Sequence, residues 1–215
     1  MRSVSRRSVL GLVVVGIAAM PHRGLALDAD PEVAQVGAPI QALNDGLLAV
    51  MRAGQRTPFR DRFHALAPTV DHVFDLAGIL RLSIGPRWGE IEAAQQTSLL
   101  RVFRRFTVAS YVANFDSYTD EQFETAPTLR AIGMDQVVST TLAPASGDKI
   151  RIDYVMRQEQ AADWKVVDVL LDGTISRVAV QRSDFRGVLA QGGAPALIAS
   201  LERKVWDMAG SSLES

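Results

Sequence analysis

The chain has 215 residues, a formal net charge of −1, a hydrophobic content of 47% and no cysteine. The nearly neutral charge provides no bulk attraction to nucleic acid or to an anionic membrane, so neither is expected as a partner. The missing thiols exclude disulfides and thiolate chemistry, and the length suits one domain with a sizeable core.

The N-terminal segment has the three-part pattern of a secretory signal peptide. Arg6 and Arg7 precede an uncharged run over residues 9–20, and Gly24-Leu25-Ala26 provides small residues for cleavage. The stretch from Ser5 to Leu10 also resembles a twin-arginine export motif. We therefore expect residues 1–26 to be a cleaved export signal, with residues 18–20 as a rival cleavage site. Later runs are too short to span a bilayer, so we expect a soluble mature protein.

Apolar residues at helical spacing predict four helices in the first half of the chain. Pro39 suits the first turn of a helix, and Gly54 suits its end. Pro68 and Gly85-Pro86 suit the ends of the second and third helices. The helices are expected at about residues 39–54, 58–68, 69–84 and 90–115, after a flexible lead-in over residues 27–38.

From Gly133 onward the apolar period changes to two residues, which is typical of strands. In the clearest case, large apolar or aromatic residues occupy every even position from Ile150 to Met156, alternating mainly with charged residues. Asp172-Gly173 is a hairpin signal, because Gly tolerates a positive φ. Strands are expected at about residues 136–141, 150–157, 164–171 and 174–180, with a polar connection over residues 116–128.

Two helices are expected after the strands. Ser183 suits the N-cap of a helix that reaches about Gln191, and a last helix spans about residues 194–208. Helices, then a meander of strands, then helices again predict an α+β fold with an antiparallel sheet covered by helices on one face. The single domain is expected to span residues 39–208, with a tail over residues 209–215.

Catalytic, cofactor and metal motifs are absent from the sequence. It contains no G-x-S-x-G elbow, no G-x-G-x-x-G turn and no G-x-x-x-x-G-K loop. His64 and His72 lie at a spacing that matches no zinc pattern, so solvated helix positions are the better interpretation. We therefore assign no catalytic residue, no metal ligand and no cofactor.

Asp153, Tyr154 and Asp168 lie on neighbouring predicted strands. A buried Asp beside a Tyr in a cone-shaped sheet could transfer protons, as in steroid isomerases. The alternative is that Asp153 pairs with Arg151 or Arg177 on the solvent face while Tyr154 packs inward. We favour the alternative, because no pattern marks either Asp as buried.

Arg101, Arg104 and Arg105 form a local basic cluster on the fourth predicted helix. Arginine suits recognition of phosphate or carboxylate, so these residues are candidates for contact with a lipid headgroup or a partner protein. A solvated helix face is the commoner role for such a cluster.

The C-terminal part of the chain resembles the signature of the MlaC family, also called the toluene-tolerance family. The pattern W-K-V-x-D-V-x-x-(D/E)-G, followed within a few residues by a Ser, an Arg and a Phe, is met by Trp164, Lys165, Val166, Asp168, Val169, Asp172, Gly173, Ser176, Arg182 and Phe185. The segment Val102–Tyr118 is similar to the central helix of the family. Its sequence is nearest to that of the HpnM-like members, which are found with hopanoid biosynthesis. Asp172 stands where the family usually has Glu, and Thr174 stands where an aliphatic residue is commoner. The resemblance covers roughly residues 39–204.

This resemblance implies a periplasmic lipid carrier. Such proteins combine a sheet like that of nuclear transport factor 2 with a helical lobe, and acyl tails lie in the cavity between them. They shuttle phospholipid between an outer-membrane lipoprotein and porin complex and an inner-membrane ABC transporter with an MCE subunit. The HpnM-like branch would imply a hopanoid ligand instead. A small-molecule enzyme on the same sheet and an envelope adaptor protein are the alternatives from other classes.

The lining of such a cavity can be predicted from the apolar faces of the predicted elements. Exposing acyl chains to water costs about 0.8 kcal/mol per CH₂, so a carrier needs an enclosed apolar site. The pattern does not determine which side of residues 166–171 faces inward. The candidate lining residues are Ile150, Ile152, Tyr154, Met156, Val167, Val169 and Leu171 on strands, with Phe74, Leu80, Phe103, Phe106 and Tyr111 on helices.

Overall fold

A computed structural model describes residues 30–160 and 163–213, so the expected signal peptide, residues 1–26, lies outside the described part. The helices are α1 (Pro31–Ala53), α2 (Phe59–Val73), α3 (Leu76–Ile84), α4 (Ala93–Asn114) and α5 (Arg177–Ala209), with 3₁₀ helices at Gly85–Glu90 and Gly210–Leu213. The strands are β1 (Gln122–Ile132), β2 (Asp135–Ala143), β3 (Ile150–Gln160), β4 (Asp163–Leu171) and β5 (Ile175–Ser176). Within the described ranges, none of the helices has the length and hydrophobicity needed to cross a membrane.

The five strands form one antiparallel meander in the order β1-β2-β3-β4-β5. Helices α2, α3 and α5 pack on β4, α1 packs across β1, β2 and β4, and α4 packs mainly on α5 and α2. The main core lies between the helices and the inner face of the sheet. The predicted α+β class, with helices on one face of an antiparallel sheet, is confirmed.

Helix α1 begins earlier than the sequence suggested. The Asp30 carboxylate accepts a hydrogen bond from the backbone N–H of Glu32 at 2.9 Å, and Pro31 occupies the first turn. Val36 and Ile40 are fully buried on its inner face. The expected flexible lead-in is therefore wrong from residue 31 onward, because the true N-terminal signals precede the proline at position 39, which lies inside the helix.

Two further helix boundaries differ from the expected ones. Helix α2 continues through Pro68 to Val73, so this proline does not end it. Helix α3 is capped by Asp75, whose carboxylate accepts a hydrogen bond from the N–H of Gly78 at 2.8 Å. Residues 69–73, which were expected to begin this helix, lie within α2 instead.

Strand β1 occupies much of the segment expected to be a polar connection. It pairs only with β2 and is mostly exposed, so its sequence lacks the apolar alternation of a half-buried strand. Its register shifts between Thr125 and Leu129, around Pro127. A proline is tolerated at such a bulge on an edge strand, because the ladder does not need its missing N–H there.

The predicted hairpin after β4 is present, with positive φ at both Asp172 (52°) and Gly173 (73°). The return strand, however, is only the short β5. Ser176 caps α5 by accepting a hydrogen bond from the N–H of Ala179 at 3.0 Å. Ser183, the expected cap, therefore lies inside the helix, and the two expected helices form one element with a kink at residues 192–193.

A β-bulge in β4 decides which of its residues face the helices. Tyr154 lies opposite Val169, but Met156 lies opposite Val166, so β4 has one extra residue between these pairs. The extra residue reverses the alternation of side chains along the strand. Val166 therefore packs in the main core, whereas Val167 joins a small apolar cluster with Val137 and Val155 on the outer face.

Asp153 lies on the outer face of the sheet beneath two arginines. Arg151 donates two hydrogen bonds to its carboxylate at 2.8 and 2.9 Å, and Arg130 donates one at 3.0 Å. The carboxylate side chain is fully covered, while both arginines stay about half exposed. Burial disfavours its charged form, but hydrogen bonds from Arg151, Ser139 and Arg130 outweigh burial and hold the pKa of Asp153 below its ordinary 3.8. The expected pairing of Asp153 with Arg151 is confirmed.

Replacing Asp153 by Asn should lower the free energy of unfolding at pH 7 by about 1 kcal/mol, because water screens the half-exposed arginines. The pKa of Asp153 is lower in the folded state, so its contribution is present above about pH 4 and is lost as the pH falls through the folded value. Urea unfolding at pH 7 and pH 3 measures both effects. Glu124→Gln, in an exposed pair with Lys149, is the control and should change stability less. Equal losses for Asp153→Asn at both pH values would contradict the ionic origin.

Candidate functional site

A cavity of about 470 Å³ lies between α4 and the inner face of β3 and β4. The start of α3 and the start of α5 close its sides. The cavity meets solvent at its exposed lining residues, which are Asn114, Ile150 and Arg177. The lining comprises Phe74, Leu76, Ile79, Phe103, Phe106, Thr107, Ser110, Tyr111, Asn114, Phe115, Ile150, Ile152, Tyr154, Asp168, Val169, Leu171, Arg177, Val178 and Gln181.

Most of the predicted lining residues lie on this cavity. The structure brings together Phe74, Phe103, Phe106, Tyr111, Ile150, Ile152, Tyr154, Val169 and Leu171. Three other predicted residues do not line it. Leu80 and Met156 are fully buried in the packed core, and Val167 faces outward because of the bulge in β4.

Several lining residues were missed, although α4 carried a signal for some of them. Thr107, Ser110 and Asn114 follow Phe103 at steps of three or four residues, and Phe115 follows Tyr111 at a step of four, so they continue the same face of the helix. Leu76, Ile79 and Val178 depend on how α3 and α5 pack, and local periodicity does not reveal that packing.

Aromatic rings form much of the helical wall. The ring centroids of Phe74 and Tyr111 are 5.7 Å apart, those of Tyr111 and Phe115 are 6.1 Å apart, and those of Phe103 and Phe106 are 6.4 Å apart. Burial raises the pKa of Tyr111 and of Tyr154 well above the ordinary range for phenols. Both phenols are therefore neutral at physiological pH, and this wall carries no charge.

Four neutral polar side chains of the lining already have hydrogen-bond partners within the protein. The hydroxyls of Thr107 and Ser110 donate to backbone carbonyls four residues earlier, at 2.9 and 2.8 Å. The amide of Asn114 donates in the same way at 2.7 Å, and Gln181 accepts from Ser83 at 3.1 Å. Satisfied polar groups of this kind place little demand on a ligand, so the interior suits an apolar molecule.

Asp168 has a structural role beside the cavity. One carboxylate oxygen accepts hydrogen bonds from the backbone N–H groups of Val169 at 2.8 Å and Val178 at 3.0 Å, and the other accepts from the Ser176 hydroxyl. These bonds join β4 to the first turn of α5, where a negative charge is stabilised by the helix dipole. Asp153 lies on the opposite face of the sheet from Tyr154, so the three groups of the proton-transfer hypothesis do not converge.

The basic cluster on α4 does not reach this cavity. Arg104 forms a two-bond ion pair with Asp71 at 2.6 Å, and that hydrogen bonding raises the pKa of Arg104. Arg105 donates to the carbonyl of Leu213 at 3.0 Å, and Arg101 is exposed. None of the three lines the cavity, so the geometry does not support a headgroup contact for them there. Their contact with a partner protein stays a prediction.

Comparison with known proteins gives a family and a fold. A family model described as MlaC protein matches residues 41–203. Among solved structures, a phospholipid-binding protein from Ralstonia solanacearum, determined in complex with a phospholipid, is similar with a TM-score of 0.68. The two sequences are 19% identical, and the match covers 81% of this chain and 98% of that chain. No curated protein sequence matches the chain significantly.

Replacing Asp168 by Ala should lower the free energy of unfolding by about 1–3 kcal/mol, because it leaves the backbone N–H groups of Val169 in β4 and Val178 in α5 without their acceptor. The amide of Val178 should also exchange its hydrogen faster. Asp184→Ala, at an exposed position farther along α5, is the control and should stay within about 0.5 kcal/mol of the wild type. Urea unfolding and hydrogen exchange measure both variants. Equal stability of the two would contradict the anchoring role of Asp168.

Proposed function

The chain belongs to the MlaC family, and from that premise we propose that it is a periplasmic lipid carrier that holds acyl chains in the cavity between α4 and the sheet. The observation that carries this proposal is the cavity itself. Its walls combine aromatic and aliphatic side chains with polar side chains such as Thr107 and Ser110, whose hydroxyls already have protein partners. A water-filled catalytic cleft needs free polar groups, whereas a lipid tail needs their absence.

The volume of the cavity sets the size of the ligand. An engineered apolar cavity of about 150 Å³ holds benzene, so 470 Å³ corresponds to on the order of 20 carbon atoms. This is enough for about one long acyl chain, and a lipid with two chains requires the cavity to widen. The similarity in fold to a protein solved with a phospholipid supports the same class of ligand.

The free energy of acyl-chain exposure explains why such a protein is needed. Two chains in water cost on the order of 20 kcal/mol, at about 0.8 kcal/mol per CH₂. A lipid therefore crosses an aqueous compartment inside a protein and is handed over by direct docking. An empty apolar cavity also destabilises a fold, so we expect the purified protein to retain lipid.

The proposed transport route follows from the family resemblance and from the export signal of residues 1–26. The carrier moves phospholipid through the periplasm between an inner-membrane ABC transporter with an MCE subunit and an outer-membrane lipoprotein and porin complex. A hopanoid replaces phospholipid in this scheme if the chain acts as an HpnM-like member.

Binding is favoured over catalysis by the state of the ionisable groups. Asp168 is fully engaged by β4 and α5, and Asp153 is paired with arginines on the outer face. Burial raises the pKa values of Tyr111 and Tyr154, so both phenols stay protonated and neither provides a phenolate that could accept a proton. Within the described residues, these groups do not form an acid–base pair at the cavity.

Replacing Val169 by Arg should abolish lipid retention, because it places a charge within the apolar lining. Lipid extraction and quantification per mole of purified protein measures the effect. Leu170→Arg is the matched control, since Leu170 is the next residue on the outer face and lies opposite Asp153. The control should retain lipid as the wild type does. Equal retention by the two variants would contradict the proposed cavity.

A second variant separates loss of the cavity from loss of the fold. Ser110→Phe fills space at the helical wall without introducing a charge, so the fold should persist while bound lipid decreases. Circular dichroism checks that the fold is intact in each variant. Undiminished lipid in a folded Ser110→Phe protein would place the ligand elsewhere.

A further inference from the structure

We infer that Arg177, at the mouth of the cavity, contacts the phosphodiester of the bound phospholipid and contributes to the selection of the ligand. This inference rests on the proposed function and makes it more specific. Arg177 is the basic residue of the lining, and it is exposed at the point where α5 begins. Its position suits a group that stays near solvent while the tail lies inside.

The guanidinium of Arg177 is available for a ligand. Within residues 30–160 and 163–213, it takes part in no ion pair or side-chain hydrogen bond. Other arginines near the sheet are engaged, as Arg130 and Arg151 are by Asp153 and Arg157 is by Asp135. An arginine without a partner, at the rim of an apolar cavity, suits a phosphate oxygen because its N–H groups can donate two parallel bonds.

Asp168 is the acidic residue of the lining, and it does not neutralise Arg177. Both oxygens of Asp168 accept hydrogen bonds from β4, Ser176 and the first turn of α5. These bonds also occupy the helix N–H groups of Val178, while that of Ala179 is bound to Ser176. The backbone N–H groups of Val178 and Ala179 are therefore not available to an anion, whereas the side chain of Arg177 is.

The expected ligand is consequently a lipid with a negative group next to its acyl chains. An uncharged amphiphile, such as a diacylglycerol or a neutral polycyclic lipid, leaves Arg177 without a partner. The anion is expected to be carried by a lipid, because Arg177 belongs to the lining of a cavity that is otherwise largely aromatic and aliphatic.

Competition between two lipids tests this inference. The mature protein is incubated with isotope-labelled phosphatidylglycerol and diacylglycerol that have identical acyl chains. Both lipids are presented together in nonionic detergent micelles. Native mass spectrometry then gives the ratio of the two bound lipids. We expect the wild type to prefer the phospholipid, and Arg177→Gln to lower that ratio by about tenfold, the effect of losing a hydrogen bond to a charged group.

Two further variants and the total lipid content make the result specific. Arg186→Gln removes the same charge from an exposed position farther along α5 and should keep the wild-type ratio. Arg177→Lys keeps the charge and should restore part of the preference. An unchanged ratio in Arg177→Gln, with normal total lipid, would overturn the inference and leave the carrier function standing. Absence of both lipids from the wild type would overturn the carrier function and the inference together.

Discussion

The cavity depends on one extra residue in β4. On the C-terminal side of the bulge, Val169 and Leu171 face α4 and line the cavity, whereas on its N-terminal side Val166 faces the packed core. The bulge also lies beside Asp168, whose carboxylate holds the first turn of α5. The same irregularity therefore places the sheet wall of the cavity and the helix start that carries Arg177 at its mouth. A regular strand would send Val169 and Leu171, or else Val166, to the opposite face.

The chemistry of the cavity changes from its interior to its mouth. Inside, the hydroxyls of Thr107 and Ser110 bond to the backbone of their own helix, and the tyrosines stay neutral because they are buried. At the mouth, Arg177 is charged and exposed. An apolar interior with one cationic rim matches an amphiphile whose tail is buried and whose anionic group stays close to water. This gradient favours a phospholipid over a neutral polycyclic ligand.

Much of the fold and much of the cavity could be predicted from the sequence, and the exceptions have physical reasons. The two-residue period of β3 correctly placed Ile150, Ile152 and Tyr154 on the inner face, because side chains alternate between the two faces of a strand. The bulge could not be recognised from the residue types, since Val166, Val167 and Val169 are all valines. Only the tertiary packing determines which of them face the helices and which face outward. Strand β1 was missed because an exposed edge strand needs no apolar alternation.

The central claim is that this chain encloses a lipid, and native mass spectrometry of the purified wild-type protein tests it most directly. We predict a stoichiometric adduct whose mass, after denaturing extraction, is that of a phospholipid. An adduct with the mass of a pentacyclic lipid would keep the carrier function and contradict the phospholipid assignment. A bare protein mass that persists after incubation with phospholipid vesicles would contradict the carrier function itself.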